Sequence, residues 1–284
     1  MGRGAVDARD IPHELEMDAG EATSVLVDFL RREIRRTGRR RAVLGLSGGV
    51  DSAAAAALAG RALGARNVLC ALLPYRTSSA GSLGDGRRLA RRLGSPTETI
   101  RISPMIDAYF GRASRAGRVR RGNKMARERM AILYDLSLRD DRLVIGTSNK
   151  TELLLGYGTL HGDLASAVNP LGDLYKTQVR QIALSLGVPP EIVWKTPTAD
   201  LWAGQSDEAE IGYPYREIDR LLVRLVEWRV APEEAVGQGF PRRMVGSIVS
   251  RMVRSQFKRR PPVVAKLTRR AVNIDFRYPR DWRT

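Results

Sequence analysis

Residues 41–46 are a short apolar run that ends in the turn Ser47-Gly48-Gly49, and an alanine-rich stretch at residues 53–63 follows at once and stops at Gly64. A run this short, bounded by glycine, reads as a buried strand, and alanine has the highest helix propensity of any residue. The order strand, glycine turn, helix then recurs. Residues 68–73 are apolar, a polar glycine and serine loop at 77–86 follows, and a helix at 87–93 is stopped by Gly94. Residues 97–102 and 143–146 read as further strands. Between them lie a helical region broken by glycines over 111–122 and a helical segment at 125–138. Strands alternating with helices predict an α/β fold with a doubly wound parallel sheet. Upstream, Val25, Leu26, Phe29, Leu30 and Ile34 have helical spacing with an arginine-rich outer face. Downstream, residues 175–186 and 218–228 read as helices, so the sheet carries additional C-terminal helices. The basic tail at 242–283 is expected to be helical only in its first part, because Pro261-Pro262 and Pro279 interrupt it, and to wrap over the body. We expect one domain over residues 1–284: an N-terminal helix at 18–40, a sheet core at 41–175, and a helical, basic extension at 176–284.

Composition excludes several classes. With 43% hydrophobic and 28% charged residues the chain is an ordinary globular one. No apolar stretch approaches the roughly 20 residues that span a bilayer, and the N-terminus lacks the layout of a signal peptide, so a cytoplasmic address without a membrane is expected. The lone cysteine, Cys70, excludes an internal disulfide and any paired-cysteine site, and its strand-like run marks it as core. The formal charge of +17 attracts nucleic acid and small nucleotides alike, and charge alone leaves both open. Only six of the 48 basic residues are lysine, and three of those fall in the motifs below.

The segment Gly45-Leu46-Ser47-Gly48-Gly49-Val50-Asp51-Ser52 sits where a strand ends and a helix begins. Backbone N–H groups, hydroxyls and the helix dipole converge there on a phosphate. It lacks the Gly-Lys-Ser/Thr ending of a Walker A loop and is not the dinucleotide GxGxxG fingerprint. It resembles the pyrophosphate loop of the ATP-pyrophosphatase superfamily, which cleaves ATP between the α and β phosphates to adenylate a substrate. The resemblance implies an adenine nucleotide alpha-hydrolase-like sheet. Further matches follow in order: Gly122-Asn123 with residues 126–130, residues 146–152, Gly156-Tyr157-Gly158-Thr159, Gly162-Asp163, Asn169-Pro170-Leu171 through Lys176, and residues 195–202 with Gln205, Asp207, Glu208 and Glu210. Taken together these resemble the ammonia-dependent NAD synthetase family, from about Val43 to Asp219, with an echo at residues 258–262.

That resemblance implies site residues. Asp51 and Glu152 are expected to hold Mg²⁺ on the ATP phosphates, a role that suits two hard carboxylates. Ser47, Ser52 and the loop amides are expected to cradle the pyrophosphate, and Thr147, Lys176 and Thr198 to contact ATP. Arg127 and Lys258 match positions at the deamido-NAD substrate, whereas Arg129 is expected in structural ion pairs. Asp163 is expected to position or deprotonate ammonium, so that Asp51, Asp163 and Lys176 form the catalytic set. His161 and His13 are expected to be incidental. The implied substrates are ATP, deamido-NAD and free ammonia, Mg²⁺ is the cofactor, the assembly is a homodimer, and nucleic acid is not an expected partner. Residues 77–86 are expected to act as a lid.

Three positions depart from the family pattern: Leu160 replaces a usual lysine, Ala167 a usual aspartate and Phe257 a usual histidine. All concern the dinucleotide. A subfamily with altered dinucleotide contacts accounts for them, and so does a relative that adenylates another carboxylate. A tRNA-modifying enzyme fits the charge and the cradle, but the sulfur-transferring versions commonly employ paired cysteines, which this chain lacks.

Overall fold

The computed structural model describes residues 11–111, 115–202 and 204–271. Parts of two expected segments, residues 112–114 of the glycine-broken region and 272–283 of the tail, lie outside them. The elements run α1 (Ala19–Arg36), β1 (Arg41–Gly45), α2 (Val50–Leu63), β2 (Val68–Leu72), α3 (Ala80–Leu93), β3 (Thr97–Thr99), α4 (Ser103–Phe110), α5 (Arg118–Arg139), β4 (Arg142–Val144) and α6 (Lys150–Leu155), followed by α7 (Lys176–Ser185), α8 (Pro190–Val193), α9 (Asp207–Ile211), α10 (Tyr215–Leu222), α11 (Pro232–Gly237) and α12 (Arg242–Arg254).

The strands pair in parallel in the order β3-β2-β1-β4, with Leu44 opposite Cys70 and Val43 opposite Val144. The chain starts at β1, moves outward to β3, then returns to β4 on the other side of β1. A sheet wound this way opens a crevice at the carboxyl ends of β1 and β4, where such folds take their ligands. Alternation along the strands feeds two cores. Ala42, Leu44, Cys70 and Leu72 face α1, α2, α3 and α7, whereas Val43, Leu69, Ala71 and Val144 face Ile106 of α4 and Met125, Leu133 and Leu136 of α5. The doubly wound sheet is therefore as expected, and Cys70 is wholly buried in it.

Two stretches differ from expectation. Residues 80–86 are helix, not loop, because Ser79 caps α3 by accepting the Ser82 amide. Gly86 in this helix serves packing: a Cβ there would stand 2.9 Å from Leu72 Cδ2. The chain between β2 and α3 thus leaves only about the residues before Ser79 to move as a lid. The strand expected at 97–102 is cut to Thr97–Thr99, the edge of the sheet.

The C-terminal helices enclose a separate apolar cluster, with Leu155, Tyr215, Leu222, Phe240 and Ile248 among its members. A buried carboxylate, Asp219 on α10, joins this part to α6 and α7. It accepts hydrogen bonds from Thr151 Oγ1 at 2.6 Å and from the amide and hydroxyl of Thr177, both at 2.9 Å.

Candidate active site

The turn after β1 is built by its serines. Ser52 Oγ donates to the Gly49 carbonyl, accepts from the Ser47 amide, and lies 3.0 Å from Ser47 Oγ. Gly48 has φ 82°, and a Cβ there would fall 2.2 Å from the carbonyl oxygen of Ser82. Only glycine lets the first turn of α3 rest on this loop. The first helical bond of α2 runs from the Ala53 amide to the Gly49 carbonyl, so the amides of Val50, Asp51 and Ser52 belong to the helix start, without helical partners, in residues that line the cleft. An anion fits that position.

Beside the loop stands a triangle of charges. Lys176, the first residue of α7 and 3% exposed, places Nζ 2.5 Å from Asp51 Oδ2 and 3.1 Å from Glu152 Oε1. Asn149, buried at the end of the β4 connection, holds both acids: its side chain donates to Asp51 Oδ1 at 2.8 Å, and its amide donates to Glu152 Oε2 at 3.2 Å. The Tyr215 ring lies below Nζ, 5.1 Å away. Burial pushes the Glu152 carboxyl up to about 8; the charge of Lys176 opposes this and that of Asp51 reinforces it. Burial works to lower the Lys176 ammonium, yet Asp51 and Glu152 outweigh it and hold it above an ordinary lysine. Glu152 and Lys176 therefore keep their protons longer than the same groups do in water.

A cavity of about 470 Å³ opens over these groups. Residues 45–52, Thr147, Glu152, Asp163, Lys176, Thr198 and Lys258 all line it, so almost every residue singled out above converges on one cleft. Arg127 does not. It is exposed and gives Nε to the Leu160 carbonyl at 3.1 Å. Asp163 opens into the cleft and accepts the Thr159 amide; the protein packed around its carboxyl raises it, against that bond and the Lys258 charge. Lys258 gives Nζ to the Gly156 and Gly158 carbonyls. His161 and His13 are exposed and line no part of the cleft.

Other groups in the cleft carry no binding or catalytic role in the sequence reading. The Tyr157 hydroxyl lies 2.9 Å from Asp207 and 3.1 Å from Glu210. Lys195 ties the stretch between α8 and α9 to α3 through Ser82 and Asp85. Arg129 was expected in ion pairs and makes none among the described residues; it lines the cleft instead. The signal was present in the helical spacing, because Arg129 falls between Ala126 and Met130 on the buried face of α5. A charge on a core face needs a partner.

The NAD synthase family pattern matches residues 22–262. The NH(3)-dependent NAD(+) synthetase of Chlorobaculum parvum is 52% identical over 271 residues, which cover 95% of this chain and 98% of that one. The relative of the same name from Fusobacterium nucleatum is 47% identical and is covered in full by 90% of this chain. Among solved structures, the NH3-dependent NAD synthetase of Campylobacter jejuni, in complex with the nitrate ion, superposes with a TM-score of 0.75 at 34% identity, over 88% of this chain and 100% of that chain. The NMN synthetase of Francisella tularensis gives 0.78 at 33% identity, over 88% and 99%.

Proposed function

The chain belongs to the NAD synthase family, and from that premise we propose that it is a carbon–nitrogen ligase that amidates the nicotinate carboxylate of deamido-NAD with ammonia, converting ATP to AMP and pyrophosphate. The observation that carries the reading is the Asp51–Lys176–Glu152 triangle beside the loop amides. The loop takes the outer phosphates, and Lys176 offsets the charge that gathers on them as a substrate carboxylate oxygen attacks the α-phosphorus. The bond to the β-phosphate oxygen breaks and its electron pair leaves with pyrophosphate. Ammonia then attacks the acyl carbon and AMP departs, with Asp163 facing the cleft as the group that receives the proton of ammonium.

Asp51 and Glu152 fit Mg²⁺. They offer oxygen donors only, both reach one amine, and they form a pair, since no group of three or more metal-binding side chains gathers among the described residues. Mg²⁺ is commonly held by one or two carboxylates, with substrate phosphates and water completing its shell. When bound, it supplies positive charge to the phosphate oxygens.

Protein incubated with ATP, Mg²⁺, ammonium and deamido-NAD is expected to form NAD and AMP in equal amounts. Release of ADP, or no NAD from folded protein, would refute the reading; NMN formed from the mononucleotide alone would reassign the substrate. We also propose that the chain acts as a homodimer and as one functional unit. In support, Met105 and Tyr109 on α4 and Val119, Tyr134 and Leu138 on α5 are exposed apolar side chains on adjacent helices. Sedimentation equilibrium is expected to give twice the chain mass, and Leu138→Asp to halve it; a wild-type monomer overturns the assembly.

A further inference from the structure

Among the described residues, four cationic side chains line the cleft: Arg129, Lys176, Lys195 and Lys258. Three are committed. Lys176 bridges Asp51 and Glu152, Lys195 is held by Asp85 and Ser82, and Lys258 by two backbone carbonyls. Arg129 gives only Nε, to the Leu73 carbonyl at 3.0 Å, and no carboxylate pairs with it among the described residues. Its terminal nitrogens are not sealed in the core either, because they are absent from the buried polar atoms that lack partners. They open onto the cleft. The surroundings oppose its charge: burial lowers its pKa, and only the distant charges of Asp200 and Asp163 act against this. A half-buried guanidinium with an unfilled planar fork suits an oxyanion that arrives with substrate.

Its position names the oxyanion. The cleft has an apolar end, lined by Ala71, Leu73, Met130 and Leu133, and a charged end at Asp51, Glu152 and Lys176. A nucleotide with its base at the first end and its outer phosphates at the second has its α-phosphate between them. Arg129 is next to Met130 in α5 and is anchored through Nε on the Leu73 carbonyl, at the apolar end, so that its two unpaired terminal nitrogens lie beyond that anchor in the cleft. We propose that Arg129 grips the α-phosphate of ATP, and keeps it through the adenylate, as a substrate-contacting residue of the reaction inferred above. The contact matters most after pyrophosphate has left. The loop and Lys176 serve the departing group, whereas the acyl phosphate that remains keeps one negative charge and needs a cation that stays.

The inference rests on the ligase reading, and the test separates the two. Arg129→Gln and Arg129→Lys are compared with wild type in exchange of labelled pyrophosphate into ATP, in NAD formation, and in equilibrium binding of AMP and of adenosine. Both variants are expected to melt as wild type does. Exchange and kcat are expected to fall by about 100-fold, the scale of one lost charge-stabilising donor, with lysine a poor substitute because it lacks the fork. AMP affinity falls by about 10-fold while adenosine affinity is unchanged. Exchange within about threefold of wild type in Arg129→Gln overturns the proposal. So does intact exchange with NAD formation lost, which moves Arg129 to the ammonia step. Activity loss that follows a drop in melting temperature, in both variants and without the AMP-specific effect, makes the role structural. If wild type itself neither exchanges pyrophosphate nor forms NAD, the ligase reading fails instead.

Discussion

Replacing Lys176 by methionine is expected to lower turnover by about 1000-fold or more and to remove about 3 kcal/mol of stability in the absence of divalent cations. The ammonium is 3% exposed and is the one cation touching both Asp51 and Glu152 among the described residues. Its loss leaves two carboxylates facing each other in a desolvated corner. Breaking such a group by removing one partner costs about 3–5 kcal/mol, and the lower end applies here because Glu152, already pushed up to about 8, takes a proton in place of the lost charge. Methionine fills a similar volume, so a cavity adds little. Differential scanning calorimetry in EDTA checks the stability loss. If Asp51 and Glu152 bind Mg²⁺, millimolar Mg²⁺ raises the melting point of Lys176→Met more than that of wild type, since the ion restores the missing charge. An unchanged melting point in EDTA sinks the electrostatic account, and a variant insensitive to Mg²⁺ removes the metal assignment.

How much of this was legible before any coordinates depends on the residue. The loop at residues 47–52 lies within a local pattern, a strand end and a helix start, so its geometry follows from neighbouring residues. Asp51, Glu152 and Lys176 are far apart in sequence, and the parallel order β3-β2-β1-β4 brings the first two to one edge. Their convergence was expected from the doubly wound pattern and from the family resemblance. The details that failed depend on tertiary neighbours. Gly84 and Gly86 read as loop because a glycine's propensity is local, whereas the reason for Gly86 is the approach of Leu72 across the helix–sheet contact. Arg129 was expected in structural ion pairs, although its helical phase places it beside core residues that offer no carboxylate. Asp219 gave no signal, because its partners Thr151 and Thr177 belong to two other elements.

Asp219 is the basis of the second large effect. Its carboxylate is 0% exposed and takes up three donors, from α6 and the start of α7, so it fixes the helix whose first residue is Lys176. The Lys176 amide in turn donates to Thr151 Oγ1 at 3.0 Å, and the Lys176 ammonium is thereby positioned through a chain of buried bonds. Asp219→Ala strands two hydroxyls and an amide without an acceptor and opens a cavity. The expected cost is about 3–4 kcal/mol, at roughly 1–3 kcal/mol for a buried polar group left unpaired. Asp219→Asn costs less. Its carbonyl oxygen can keep both Thr177 donors, and the Thr151 hydroxyl, which already accepts from Lys176, can accept from the new amide. The pH dependence has a definite sign. Burial raises this carboxyl to about 6 against an ordinary value of 3.8, with its three hydrogen bonds opposing, so the folded state holds a proton that the unfolded chain has released between those limits. Stability from this group is complete below about pH 4 and is lost as pH rises through about 6. Asparagine does not titrate. The stability deficit of Asp219→Asn relative to wild type, from urea unfolding at several pH values, is therefore expected to be largest near the acid end and to narrow as pH rises towards 7. A deficit that widens over that range would mean that the hydrogen bonds, and not burial, dominate this carboxylate, and that it enters the fold ionised.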